Sequence, residues 1–252
     1  MIAMLGMYDM PALQDANDRF WQAIRAHLGF GPEYLSRDRD FLEMWRSPDL
    51  VLAQTCGMPY RTRLHGSVSL IGTPDYYGLP DCPPGYYQSV FVVHKDAPGD
   101  SLAEFSGGIL AYNDAMSQSG WAAPMTHLQA GGVRIERFFH SGSHGASAHA
   151  VAHRYADIAG LDALTWALLQ KHSDVAADLR VLGKTTPTPG LPYITASTRG
   201  VDALADAVRS AITGLSDADR GLLHLRGLVS IPAQAYLAVP TPARPDGMAE
   251  NQ

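Results

Sequence analysis

Residues 108–147 read GILAYNDAMSQSGWAAPMTHLQAGGVRIERFFHSGSHGAS. Two apolar runs stand in this stretch, Gly108–Tyr112 and Arg134–Phe139. Each leads through a loop of serine, glycine and small polar residues into a segment suited to a helix, one from about Gln118 and one from about His144. Strand, small-residue turn, helix, repeated, is the building unit of an open α/β sheet.

The same alternation continues in both directions. Towards the N-terminus, Ser89–Val93 is continuously apolar and predicts a central strand. Before it come strands at Val68–Ile71, Leu50–Ala53 and Met1–Leu5, with helices near Pro59–Leu64, Asp38–Trp45 and Asp15–Leu28. In the last of these Phe20, Ile24 and Leu28 share one face and Gly29 marks the end. Residues 73–87, rich in proline, glycine and tyrosine, read as an ordered loop.

Towards the C-terminus, Ala156–Ala159 reads as a strand, Leu161–Leu169 as a helix and Arg180–Leu182 as a strand. Thr185–Pro192 has the composition of a linker or crossover. Val201, Leu204, Ala205, Val208 and Ile212 then recur at helical spacing, and Ser216 before Asp217 and Asp219 predicts a capped helix start. The polar, proline-rich tail after Pro240 is expected to fray.

Two runs of alternation, roughly 1–88 and 95–180, predict two α/β lobes, each a mainly parallel sheet flanked by helices. Lobe 1 would comprise residues 1–90 and 190–252 and lobe 2 residues 91–189, joined by hinge strands and enclosing a cleft.

Composition limits the partners. The 252 residues are 46% hydrophobic and 17% charged, with a formal net charge of -6 and no block of lysine or arginine. Nucleic acid and acidic membranes are poor partners for such a chain, whereas a small anion in a local pocket is not excluded. The two cysteines, Cys56 and Cys82, are too few for a disulfide scaffold and match no zinc spacing. No apolar run of about 18 residues is present, and the N-terminus lacks the basic start and apolar stretch of an export signal. The expectation is therefore a cytoplasmic protein as numbered, or a periplasmic one if a leader has been removed, with no membrane insertion.

Helix N-termini present unpaired N–H groups and partial positive charge, which suits an anion. The loop Tyr112–Trp121 supplies Ser117, Gln118, Ser119 and Gly120 at such a start. Ser117 could equally be a plain helix cap. The loop Phe139–Ser147 repeats the pattern with His144 as a ring donor. A third loop, Leu52–Tyr60, offers Thr55 before a helix. Tyr8 and Tyr87 are candidate phenol donors or packing residues. Asp162 follows a short strand, where it can serve as a helix cap or pair with a cation or protonated oxyanion on a ligand.

Two catalytic alternatives use the same cleft. His149 and His153 lie at i,i+4 near His140 and His144, the face of a metal-dependent hydrolase, but no acid follows in the HExxH manner and no standard third ligand is spaced for it. No functional metal and no cofactor are expected there. Cys56 could be a nucleophile, yet no histidine stands at a recognisable spacing.

Taken in order, Leu52-Ala53-Gln54-Thr55-Cys56-Gly57-Met58-Pro59, the loop from Asn113 to Gly120, Gly142-Ser143-His144, Ala156-Asp157-Ile158-Ala159 with Asp162, and Thr185–Pro192 resemble the phosphate/phosphite/phosphonate substrate-binding proteins of ABC transporters. The resemblance implies a type II periplasmic-binding-protein fold that binds a phosphorus oxyanion between its lobes, as a monomer and without catalysis. It also implies a transporter permease or a signalling protein as partner. It assigns the phosphonyl oxygens to Ser117, Ser119, Gly120 and His144, closure over the ligand to Tyr8 and Tyr87, and contact with a ligand amine to Asp162. Gln118 stands where a hydroxyl residue is expected.

Overall fold

The structure is a computed structural model and describes residues 1–245. The chain divides into two compact units. Unit 1 is Met1–Tyr86 with Pro189–Ala238, and unit 2 is Tyr87–Thr188 together with the described residues from Val239 onwards.

Unit 1 opens with strand β1 (Ile2–Met4), helices α1 (Gln14–Leu28) and α2 (Phe41–Trp45), and strand β2 (Leu50–Gln54). Helix α1 buries Phe20 and Ile24 of the expected face together with Trp21, while Leu28 is half-buried, and Gly29 ends it in the left-handed region with its N–H bonded to Arg25. Helix α3 (Gly57–Pro59) runs into a π-helical turn, Tyr60–Leu64, and strand β3 (Val68–Tyr76) follows. The chain leaves the unit at strand β4 (Tyr86–Tyr87).

Unit 2 then contains β5 (Ser89–His94), β6 (Ile109–Tyr112), a π-helical turn (Gln118–Ala122) continuing into α4 (Ala123–Ala130), and β7 (Arg137–His140). Helix α5 (His144–Ala152), β8 (Ile158–Asp162), α6 (Ala163–His172) and β9 (Leu179–Lys184) complete it. The return passes through β10 (Thr188–Pro189), which pairs with β4. Back in unit 1 come β11 (Tyr193–Ala196), α7 (Asp202–Thr213), α8 (Asp217–Leu223), β12 (Leu225–Val229) and α9 (Ala233–Leu237).

The sheets are ordered β1-β2-β11-β3-β12 in unit 1 and β7-β6-β8-β5-β9 in unit 2. Both are mixed, not mainly parallel as the alternation predicts. Strands joined through helices run parallel: β1 with β2, and β6 with both β7 and β8. Strands next to the crossings run antiparallel to their neighbours: β5 against β8 and β9, β11 against β2 and β3, and β12 against β3. A helical crossover returns the chain to the start of the next strand, which enforces parallel pairing. Segments arriving from the other unit are under no such constraint.

Each sheet buries its own core. In unit 1, Met4, Met44, Leu50, Leu64, Ile194 and Tyr236 pack together. In unit 2, Phe91, Leu110, Trp121, Leu128 and Ile158 do so. Ser216 caps α8 by accepting from the Asp219 N–H at 3.1 Å, as its position predicts. The tail departs from expectation where it is described: the indole N–H of Trp121 donates to the Ala243 carbonyl at 3.1 Å, anchoring it on unit 2. The rest of the expected frayed segment, residues 246–252, lies outside the described residues.

Candidate functional site

The two helix starts singled out in the sequence meet in unit 2. Ser117 does what serine does at a helix start: its Oγ accepts from the Gly120 N–H at 2.9 Å. The first turn behind it is π-helical, with Ala122 N–H bonding back to the Ser117 carbonyl. Pro124 accounts for part of this, since it has no N–H to give the Gly120 carbonyl and so breaks the α pattern there. Such wide turns are common at functional sites. Ser143 caps α5 in the same way, accepting from Ala146 N–H at 3.0 Å, which leaves His144 as the first helical residue.

Ser119 joins the two starts. Its Oγ lies 3.0 Å from His144 Nε2, and its carbonyl accepts from Ser89 Oγ at 2.8 Å. Gly120 is shaped by the same contact. The point where a Cβ would stand on Gly120 is 1.7 Å from Asn113 Oδ1 and 3.2 Å from His144 Cε1, so no side chain fits. Gly160, on β8, is glycine for a related reason: its Cβ would stand 2.2 Å from Pro124 Cγ, so only glycine lets the start of α4 rest on the strand.

His144 is half-buried as a residue, with its Nδ1 sealed from solvent, as is Asn113 Oδ1 beside Gly120. Burial pushes the imidazole down to about 4, and the Gly160 carbonyl offsets only part of that. The sign of the consequence is fixed. Between the ordinary imidazole range and about 4 the unfolded chain takes up a proton that the folded chain refuses, so stability falls as pH drops through that window. The loss amounts to about 3 kcal/mol at its lower end. Urea midpoints at pH 7.5 and 4.5 should show it, and His144→Asn should flatten it; an unchanged slope in that variant would assign the acid sensitivity elsewhere.

Asp162 closes β8 and caps α6, its Oδ1 accepting from the Leu164 and Thr165 N–H groups at 2.8 and 2.9 Å. It is buried and pairs across the sheet with Ser89. The same Ser89 hydroxyl holds the Ser119 carbonyl, so Asp162, Ser119 and His144 share one framework. Gln118 is buried in the π-helical turn, and Tyr87 is buried just before β5.

The other two expected residues, Tyr8 and Thr55, belong to unit 1. Thr55 is fully buried, its N–H donating to the Pro192 carbonyl at 3.0 Å. The Tyr8 ring stands edge-on to Tyr76, with centroids 5.5 Å apart. Tyr76 is one of three polar residues that sequence reasoning did not single out. Gln54 Nε2 donates to its hydroxyl at 2.8 Å and to the Leu191 carbonyl at 3.2 Å. Tyr193 also bonds Tyr76, and burial pushes its phenol far above the usual range. The tyrosine-rich run after Ile71 was the available signal, but it read as a loop.

Neither catalytic alternative assembles. Among the described residues no group of three or more His, Cys, Asp or Glu side chains is placed to hold a metal ion. Cys56 is buried before α3, and neither it nor Cys82 is in a disulfide. Among the described residues no helix is long and apolar enough to cross a membrane.

The family model for the periplasmic substrate-binding protein of the phosphonate ABC transporter matches residues 2–233. The chain belongs to that family. It is a family of substrate-binding components and not of enzymes, and its members are described as periplasmic. No curated protein matches the chain. Among solved structures, PhnD1 from Prochlorococcus marinus (MIT 9301) in complex with methylphosphonate is similar at 18% identity. The match covers 93% of this chain and 94% of that one, with a TM-score of 0.74. A binding-protein component of the ABC phosphonate transporter from Pseudomonas aeruginosa is similar at 17% identity, covering 91% and 82%, with a TM-score of 0.71. XAC2383 from Xanthomonas citri, bound to chloride, is 17% identical over 94% of this chain and 96% of its own, with a TM-score of 0.69. At these identities the structures establish the fold, that of the type II periplasmic binding proteins.

Proposed function

We propose that this substrate-binding protein takes a small phosphorus oxyanion, phosphate, phosphite or a phosphonate, at the paired helix starts of unit 2. The observation that carries the reading is the 3.0 Å contact between Ser119 Oγ and His144 Nε2, which brings a hydroxyl and an imidazole from two helix N-termini to one place. Each N-terminus contributes partial positive charge, and the Ser119 hydroxyl can turn from the ring to a charged oxygen. In this proposal Ser119 and His144 hold the oxygens, and Gly120 allows close approach of the backbone. Ser117 sets the turn, and Gln118 takes the place of a hydroxyl contact. Asp162, Tyr87, Tyr8 and Thr55 are further ligand contacts, Asp162 favouring a ligand that carries a proton or an amine. The protein acts as a monomer and passes its ligand to a transporter permease.

The solved relative that holds methylphosphonate supports the choice of probe. Calorimetric titration with methylphosphonate, phosphite and phosphate should detect binding by at least one of them, with sulfate as the contrast. For whichever binds, Ser119→Ala should lower affinity about 10- to 100-fold, the worth of a hydrogen bond to a charged group, while hardly changing the unfolding midpoint. No binding of any phosphorus oxyanion would end the proposal. Lost stability with affinity intact would make Ser119 a structural residue.

A further inference from the structure

We propose that His149 and His153 form a two-imidazole chelate for a divalent transition-metal ion on the surface of unit 2. The two residues stand one turn apart at the end of α5, so their side chains leave the same face. Both are solvent-exposed. Their ring centroids are 6.0 Å apart and the planes are tilted by 34°. A metal held by one nitrogen of each ring at about 2.0–2.1 Å would bring the centroids to roughly 5 Å, which a small side-chain rotation supplies.

The surroundings support one of the rings. Tyr155 lies edge-on to the His153 ring, with centroids 6.2 Å apart, and Phe139 stacks on Tyr155, so His153 is walled on one side. Imidazole suits zinc, copper and nickel and disfavours magnesium and calcium. The spacing argued against a functional metal because a third ligand is missing, and among the described residues none converges. Two exposed imidazoles are enough for an open, exchangeable site whose remaining positions go to water.

The place on the helix gives the site a consequence. Helix α5 carries Gly145 in its first turn and ends at His153, before Arg154, a non-glycine residue at φ 61. Its last turn is the weaker end, because a side chain held in the left-handed region just beyond it adds strain. A metal clip between residues 149 and 153 would secure that turn. The helix starts at His144, so the clip acts on the element that carries the histidine of the proposed oxyanion site.

The test uses the full chain stripped of metal, without a histidine tag, at pH 7.5. Melting temperature is followed against Zn²⁺, Ni²⁺ and Mg²⁺, and calorimetry gives the stoichiometry. Zinc and nickel should bind one to one and raise the melting temperature by several degrees at saturation, with magnesium inert. His149→Ala and His153→Ala should each abolish the shift. Copper added to the wild type should broaden the ring resonances of His149 and His153 ahead of those of the other histidines. Shifts of equal size in both variants, broadening centred on other histidines, or no one-to-one binding would overturn the proposal. None of these readouts depends on whether the protein binds a phosphorus oxyanion.

Discussion

Gly120→Ala should lose one to two decades of oxyanion affinity and about 1–3 kcal/mol of stability together. A single methyl has this effect because the space beside Gly120 already holds Asn113 Oδ1, 1.7 Å from the Cβ position, with the His144 ring behind it. Asn113 Oδ1 must give way first, and moving the ring breaks the Ser119 contact. Removing the obstruction gives a check. The double variant Asn113→Ala with Gly120→Ala should recover most of the loss, a coupling that two independent sites would not show. Additive losses in that cycle would mean the damage comes from the backbone and not from the crowding described.

Trp121→Ala should cost about 3–5 kcal/mol, the range for deleting a fully buried large aromatic. Trp121 is 1% exposed and is packed by Tyr112 and Phe138, with centroids at 5.2 and 5.1 Å. It follows Gly120 directly, so it also seats the turn that presents Ser119. Trp121→Phe should lose far less. It keeps much of the packing but gives up the indole bond to the Ala243 carbonyl, worth about 1 kcal/mol. Urea unfolding followed by circular dichroism measures both, and limited proteolysis would show the tail released in each. A loss below about 1 kcal/mol in the alanine variant would contradict the packing assigned to this ring.

The alternation of strands and helices, the helix starts at Gln118 and His144, and the caps at Ser117 and Ser216 were legible in the sequence because each rests on local chemistry. Capping needs only a side-chain oxygen within three residues of the N–H it accepts, so Ser117 and Ser216 declare themselves. The contacts that join those starts were less legible. Nothing in the spacing shows that Asn113 crowds Gly120, or that Gly160 is kept bare by Pro124, since both depend on how a helix rests on a strand.

Pairing across long separations was the least visible part. Strand β3 runs on to Tyr76 despite Pro74, because β12 pairs along it with Leu228 opposite that proline. A proline in such a run normally argues for a loop. Strand β11 has only four residues behind a proline-rich crossover, so its insertion between β2 and β3 left no local trace. The cluster of Gln54, Tyr76 and Tyr193 stands on these three strands, and it was missed with them.

That insertion bears on the order in which a growing chain can fold. The sheet of unit 2 is drawn from one continuous stretch, β5 to β9, and can close as soon as Lys184 is clear of the ribosome. The sheet of unit 1 cannot. Strands β2 and β3 are made early, but the strand that separates them is made late: Ile194 pairs with Ala53 on one side and Leu70 on the other. Until then two apolar strands wait with open edges, the state most exposed to wrong pairing. The domain translated first is thus finished last, and conditions that slow synthesis past residue 184 should penalise unit 1 alone.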